Sequence, residues 1–295
     1  MHTLSRTVQT RSLIILLAAA VFPALAAGFP LLAESFEVIV VKNADYKPYS
    51  DVLRGFSDAC TCEAREMKLR EDEGGEKVLQ ESPGAIVAIG TTVFKRIRTI
   101  KGLPVVYTMV MPSETAGSLS PNISGVSMDI SPQVYIAKMR ELFPNAKRIG
   151  LFYDPWYTAA FVGEAAKAAV AAGVELVERR VRGPREIPGL LDGMGALDFL
   201  WMVPDPTVVT AEAVEYLLRF SFQRNVPVFS FSKKYVEMGA VASLDVDPYD
   251  MGVQAGELVN LLAAGRTGPI RVYARASRLT INTKVAEKMG LAIKA

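Results

Sequence analysis

Histidine is almost absent from this sequence, since His2 is the only one in 295 residues. It lies in an N-terminal segment that we predict to be removed, so the mature chain would contain none. Catalysis by Ser-His-Asp or Cys-His groups is then excluded, as are the usual histidine metal sites. No G-x-S-x-G motif is present either, which argues against an exported α/β enzyme.

Cysteine is nearly as scarce, with Cys60 and Cys62 the only two thiols. The C-x-C spacing leaves three alternatives: two separately packed thiols, a short disulfide or a metal site. A bridge over so few residues is geometrically awkward, and two isolated thiols make a poor metal site. We expect neither a metal nor a cofactor.

An excess of charge of either sign is also missing. The chain has 33 Lys and Arg against 31 Asp and Glu, and two of the basic residues belong to the predicted N-terminal segment. A nearly neutral mature chain without basic runs has no electrostatic footprint for nucleic acid. No repeat of about 20 to 50 residues is visible, which excludes a solenoid.

An export signal occupies the N-terminus. Arg6 and Arg11 precede the apolar segment LIILLAAAVFPALA (13–26), which is too short to span a bilayer. The residues Ala24, Leu25 and Ala26 match a small-x-small cleavage site, so the mature chain is predicted to start at Ala27 in the periplasm. An uncleaved membrane anchor is the alternative. No cysteine follows the apolar core, which argues against a lipid anchor.

The rest of the chain alternates strands and helices. Strands are predicted at 36–41, 62–69, 85–89 and 103–108, with helices between them, and a polar linker follows at 113–131. Within it, ISGVSM (123–128) is expected to cross between lobes. The alternation then resumes, with strands at 147–153, 174–181, 198–203, 226–231 and 239–244, a helix at 207–223, and a helix after Asp247 and Pro248. This order predicts an α/β fold with doubly wound parallel sheets.

Short motifs along this alternation resemble the exported solute-binding proteins of ABC importers, in particular the group that binds aromatic amino acids. The residues that carry the resemblance are AIGT (88–91), NISGVS (122–127), FPNAKRIG (143–150), PDPTVV (204–209), GAVASL (239–244), DMG (250–252), Ile281, Asn282, Lys284 and Ala286. The sequence departs from the family pattern at 107–112 and at 205–207, where ligand contacts are expected.

The resemblance implies a two-lobed type I periplasmic-binding-protein fold, with each lobe a parallel sheet flanked by helices. We expect lobe 1 at 36–122 plus 246–268 and lobe 2 at 123–245 plus 269–295, after a signal peptide at 1–26. The implied partners are a small-molecule solute and an ABC permease in the inner membrane, and the receptor is expected to be a monomer.

Ligands of open parallel sheets bind outside the carboxyl ends of the strands. The residues that follow the predicted strands are therefore the candidate ligand contacts: Asn43, Tyr46, Gly90, Thr91, Thr92, Tyr107, Thr108, Asp154, Trp156, Asp205, Thr207, Phe231 and Asp245.

Three groups of these contacts have two possible roles. Gly90, Thr91 and Thr92 begin a helix, where an anion is favoured, although Thr91 could instead cap that helix. Asp205 could accept an α-ammonium group or cap the helix at 207–223. The aromatic residues at the strand ends favour a solute with an apolar or aromatic part, although each could also be core packing.

The leading hypothesis is a periplasmic receptor for ABC import, which closes its lobes on an amino acid or related metabolite. The alternative is a periplasmic sensor that reports occupancy to a membrane-bound signalling protein.

Overall fold

The structure is a computed structural model, and it describes residues 36–117 and 119–291. The predicted signal peptide at 1–26 therefore lies outside the described residues. The strands, in chain order, are β1 (Glu37–Lys42), β2 (Glu63–Lys68), β3 (Ala85–Ile89), β4 (Val105–Val110), β5 (Ile123–Ile130), β6 (Arg148–Tyr153), β7 (Glu175–Arg180), β8 (Phe199–Trp201), β9 (Val228–Ser230), β10 (Ala242–Val246), β11 (Arg271–Ala274) and β12 (Ser277–Ile281).

The α-helices alternate with these strands. In chain order they are α1 (Lys47–Ala59), α2 (Gly75–Leu79), α3 (Thr91–Ile97), α4 (Pro112–Thr115), α5 (Pro132–Leu142), α6 (Pro155–Ala171), α7 (Ile187–Asp192), α8 (Ala211–Arg224), α9 (Lys233–Met238), α10 (Pro248–Ala263) and α11 (Thr283–Lys288). None of the helices in the described ranges is both long enough and apolar enough to cross a bilayer.

Two six-stranded sheets organise the described chain. The first has the order β11-β5-β4-β3-β1-β2 and the second β12-β10-β9-β8-β6-β7. All neighbours are parallel except β12, which runs antiparallel to β10. Because β12 starts beside Val246, at the carboxyl end of β10, it can only run back along it. The predicted α/β fold with two sheets is confirmed.

The apolar core follows the two faces of each sheet. In the first sheet, alternate side chains of β1 and β3 separate into one cluster against α1 and α10 and another against α2 and α3. Because β1 and β3 are covered on both faces, they read as continuous apolar runs in the sequence. The second sheet is likewise covered by α5 and α6 on one face and by α7, α8 and α9 on the other.

Two strands predicted for lobe 2 pair in the first sheet instead. β5, which contains the expected crossing segment 123–128, pairs parallel to β4, and β11 pairs with β5. Ile270 and Gly125 explain the second pairing, because the Gly125 N–H donates to the Ile270 carbonyl at 2.9 Å. The sheet order places these two strands in the first sheet, whereas the predicted boundaries assign residues 123–130 and 271–274 to lobe 2. The segment 113–131, which the sequence predicts to be a linker, contains β5. A connection of ordinary length is enough to bring β5 alongside β4.

Local sequence signals set several helix starts. The Asp247 carboxylate accepts the Tyr249 N–H at 2.9 Å, which confirms the predicted cap of α10. The helix predicted at 207–223 begins later, at Ala211, because the Thr210 hydroxyl caps it by accepting the Ala213 N–H. Cys60 and Cys62, at the end of α1, form a disulfide, which excludes the separate thiols and the metal site.

Helices α1 and α10 pack with their backbones in close contact. A Cβ built on Gly252 in α10 would lie 2.0 Å from the Val52 carbonyl oxygen of α1. Real Cβ atoms do not approach backbone oxygens this closely, so a side chain at this position must push the helices apart.

We expect Gly252→Ala to lower the free energy of unfolding by about 1 to 3 kcal/mol, the range of overpacked core sites. Urea denaturation measures this change. Gly163→Ala is the matched control, because Gly163 is an exposed position of α6 with open space around it. The control should be neutral or stabilise by about 1 kcal/mol, as alanine is the better helix former. Equal effects of the two substitutions would contradict the close packing.

Candidate functional site

A pocket lies at the carboxyl ends of β1, β3 and β4, and we call it the methionine pocket. Its volume is about 500 Å³, and it is lined by Tyr46, Lys47, Pro48, Tyr49, Thr91, Thr92, Met109, Met111 and Met128. The size falls within the usual range of small-molecule sites. Of the residues predicted from the sequence, it brings together Tyr46, Thr91 and Thr92.

The walls of the methionine pocket are mostly apolar and deformable. Tyr46 and Tyr49 meet edge to face, with ring centroids 5.6 Å apart, and Tyr46 is 61% exposed. Three thioether side chains line the same pocket. Methionine adapts to the shape of its contact partner and packs favourably against aromatic rings. The pocket therefore suits a solute with a flat or apolar part.

Two backbone features shape the methionine pocket. Gly90 has a φ of +90°, and a Cβ there would lie 2.1 Å from the Tyr49 hydroxyl, so only glycine allows this ring position. Met109 has a φ of +56° at the point where the pairing of β4 and β5 shifts register. Non-glycine residues with such angles are strained, and strain of this kind concentrates at functional sites.

Thr91 has a role that neither sequence alternative described. Gly90 is the N-cap of α3, and no side chain caps that helix. The Thr91 hydroxyl oxygen instead accepts the Met111 N–H at 3.0 Å. Its hydroxyl proton stays available for an acceptor in the pocket, because an alcohol both donates and accepts.

Asp205 lies inside the second sheet's carboxyl edge rather than at a surface. Its side chain is 0% exposed. One carboxylate oxygen accepts the Asp154 N–H at 2.8 Å and the Thr158 hydroxyl at 2.6 Å, and the other accepts the Thr207 N–H at 2.9 Å. Three donors therefore occupy the carboxylate. It organises the loops that carry Asp154 and Thr207, whose side chains bond each other at 2.9 Å.

Asp205→Ala should therefore destabilise the fold by about 2 to 4 kcal/mol, because the substitution leaves buried donors without an acceptor. The control is Asp72→Ala, since the Asp72 side chain is 77% exposed and its ion pair with Arg70 is long, at 3.6 Å. It should change the stability by less than about 0.5 kcal/mol. Chemical denaturation of both variants measures the difference. An Asp205→Ala variant as stable as the wild type would refute the organising role.

The remaining predicted contacts are spread over both sheets. Trp156 is 82% exposed at the start of α6, Phe231 packs on Tyr235, and Asp245 accepts hydrogen bonds from the Lys233 N–H and the Ser243 hydroxyl. Tyr107 is buried against Phe94. The Asn43 side-chain oxygen and the Thr108 hydroxyl are buried and have no hydrogen-bond partner among the described residues.

A second pocket lies between β4, β5 and β11 of the first sheet and helices α4 and α6, and we call it the Asp129 pocket. Its volume is about 460 Å³. The lining residues are Tyr107, Pro112, Thr115, Ala116, Ser127, Asp129, Tyr157, Ala160, Phe161, Glu164, Arg271, Val272 and Tyr273. Among these residues, Tyr107 is the one that the candidate contacts from the sequence include.

Asp129 is the unusual group in this pocket. It is 6% exposed, and its side chain takes part in no hydrogen bond or ion pair within residues 36–117 and 119–291. Burial raises its pKa from 3.8 to about 7, because a carboxylate loses its hydration there without gaining a partner. The charged and titratable groups around it are Tyr107 on β4, Tyr135 on α5, Glu164 on α6, and Arg271 and Tyr273 on β11.

The raised pKa makes stability depend on pH. Between pH 3.8 and about 7 the unfolded chain ionises Asp129 while the folded chain keeps it protonated, so ionisation favours unfolding. We expect the free energy of unfolding to fall across this window, on the order of 1 kcal/mol per pH unit, and to level off above it. Urea denaturation from about pH 4 to 8 should show a flatter profile for Asp129→Asn. Parallel profiles would contradict the buried, unpartnered carboxyl.

The sequence missed residues in both pockets. Met109 and Met111 lie where the sequence departs from the family pattern, but the sequence predicts aromatic residues as the ligand contacts instead. Met128 and Asp129 were missed because 113–131 was read as a linker. Had β5 been recognised, its carboxyl end would have indicated both. No cluster of three or more potential metal ligands occurs within the described ranges.

The described geometry, two α/β sheets with pockets at strand ends, agrees with comparisons to known proteins. A profile of the family "ABC transporter substrate binding protein" matches residues 74–295 of this chain. The chain belongs to this family. Its members are substrate-binding proteins and not enzymes.

Solved structures show the same fold. A ligand-free, open substrate-binding protein with adhesive properties from Clostridium difficile has a TM-score of 0.65 at 18% identity, covering 87% of this chain and 95% of that one. An ABC domain from Streptococcus pneumoniae in complex with L-Trp has a TM-score of 0.56 at 21% identity, covering 88% and 95%. These are type I periplasmic binding proteins, so the predicted fold class is confirmed.

One relative carries a functional name. A tyrosine-binding protein of Clostridioides difficile (strain R20291) is 24% identical over 207 residues, which is 66% of this chain. The matched region spans 59% of the length of that relative.

Proposed function

We propose that this substrate-binding protein serves an ABC importer and that its solute is an amino acid with an aromatic or apolar side chain. The observation that carries the proposal is the methionine pocket, where two tyrosine rings and three thioethers lie beside the Thr91 and Thr92 hydroxyls. Relatives named for binding tyrosine and L-Trp support the same chemical class.

The apolar wall of the methionine pocket would bind the side chain of such a solute. A planar ring between Tyr46 and the thioethers gains aromatic and sulfur contacts, each worth about 1 kcal/mol beyond the area buried. Several such contacts, added to the apolar area removed from water, are enough for micromolar binding at about −8 kcal/mol. No covalent chemistry is needed.

The polar edge of the methionine pocket would bind the carboxylate of the amino acid. Thr91 keeps a hydroxyl proton to donate, and the exposed Thr92 hydroxyl stands next to it. Lys47 adds positive charge at the rim, although its ammonium group pairs with Asp51 at 3.2 Å. A carboxylate at this edge would receive charge-assisted hydrogen bonds, which are the stronger kind.

Closure of the two sheets over the solute would supply contacts from the second sheet. Trp156 is the best candidate, because a large ring left mostly in water at a strand end can gain by covering a ligand. The other predicted contacts stay part of this proposal with less support, because Asp205, Thr207 and Asp245 already have internal partners.

Export by the N-terminal signal would place the protein in the periplasm as a monomer. There the closed, solute-bound form would be recognised by the permease of the inner membrane. Such recognition needs only a closed shape that differs from the open one, as hinge motion provides.

We expect calorimetry with a panel of amino acids to show binding of aromatic or large apolar ones. Tyr46→Ala should weaken this binding about tenfold, because it removes one wall of the pocket at a cost near 1.4 kcal/mol. Phe222→Ala is the control, since it removes an exposed ring from α8, an element outside the pocket. Absence of binding to every amino acid, with binding of a sugar instead, would overturn the proposal.

A further inference from the structure

The Asp129 pocket lies on the opposite face of the first sheet from the methionine pocket. Met128 and Met109 pack on the core side that holds α1 and α10, whereas Tyr107 belongs to the other side. Asp129 follows Met128 in the strand, and neighbouring residues of a strand point to opposite faces. The two pockets are therefore separate sites at the same end of one sheet.

An unpaired carboxylate inside a protein is costly unless something binds it. The Asp129 side chain is more than nine-tenths buried, lines the pocket, and has one oxygen without contact to solvent or to any donor in the described ranges. The other buried carboxylate of comparable depth, Asp205, has three donors. The contrast indicates that the partner of Asp129 is not among the residues that the structure describes.

The surroundings of Asp129 favour a cation. A second carboxylate, Glu164, lies in the same pocket and accepts the Tyr273 hydroxyl at 2.9 Å. Arg271 is the single basic residue among the lining residues. Tyr107, Tyr157, Phe161 and Tyr273 line the same pocket, and the faces of aromatic rings attract organic cations.

We propose that the Asp129 pocket is a second binding site, which takes the protonated amine of a small organic solute with Asp129 as its counter-ion. The aromatic walls and the volume of about 460 Å³ suit an arylalkyl amine. This inference goes beyond the amino acid site of the importer, because it concerns the other face of the sheet and shares only Tyr107 with the contacts predicted for that site.

Amine binding at this site has a signature that packing alone would not produce. A bound ammonium group favours the ionised carboxylate, so Asp129 releases a proton when the amine binds below pH about 7. Affinity should then rise with pH, by up to about tenfold per unit below that value.

The test uses tyramine as the probe and its neutral N-acetyl derivative as the matched compound. We expect calorimetry to show tyramine binding to the wild-type protein and at least about tenfold weaker binding of N-acetyltyramine. Titrations in phosphate and in Tris, which differ in ionisation enthalpy, should reveal proton release. Asp129→Asn should weaken tyramine binding about tenfold or more and abolish the proton release, while its melting temperature does not fall.

Tyr46→Ala separates this site from the methionine pocket, and it should leave tyramine binding unchanged. Three results would overturn the inference: no tyramine binding up to about 10 mM, equal affinity of Asp129→Asn, or loss of tyramine binding in Tyr46→Ala. Binding of amino acids without tyramine would refute this second site and leave the importer proposal intact. Binding of tyramine without binding of any amino acid would support this second site and refute the importer proposal.

Discussion

The pairing of β4 with β5 is the constraint on which both pockets depend. A Cβ on Gly125 would lie 2.4 Å from the Tyr107 ring, so β5 can pair here only because that residue has no side chain. Beyond Tyr107 the register shifts, and Met109 takes a left-handed conformation. This irregularity places methionines on one face of the sheet and leaves Tyr107 and Asp129 on the other. The strand ends thus provide two chemically different surfaces within a few residues of chain.

Two buried carboxylates show how local hydrogen bonding separates structural from binding roles. Asp205 and Asp129 both follow or end a strand, and both are withdrawn from solvent. Asp205 is satisfied by backbone and hydroxyl donors of neighbouring loops, so its charge is stabilised within the fold. Asp129 has no such donors in the described ranges, and its carboxyl holds its proton to near neutral pH as a result. Burial alone therefore does not distinguish the two roles; the hydrogen-bond inventory does.

Much of the fold was predictable, because its signals are local. Continuous apolar runs predicted β1 and β3, a charged alternating stretch placed β2 at an edge, and Asp247 with Pro248 predicted the start of α10. The stretch 113–131 was predicted to be a linker although it contains β5, because its Ser, Pro and Gly residues give it the composition of a linker. Part of the site was predictable for the same reason: Tyr46, Thr91 and Thr92 follow strands that were correctly identified. The sequence makes Asp205 a candidate ligand contact, whereas in the structure its side chain is buried and accepts three hydrogen bonds.

Sequence alone determined the α/β class, the order of nearly all elements and the strand ends at which the methionine pocket lies. These properties depend on periodicity and on capping residues within a few positions of each other. Tertiary structure alone decided which sheet received β5 and β11, that Cys60 bonds Cys62, and which carboxylates found donors. Those outcomes depend on contacts between residues far apart in the chain, such as Tyr273 with Glu164, and no local pattern encodes such pairings.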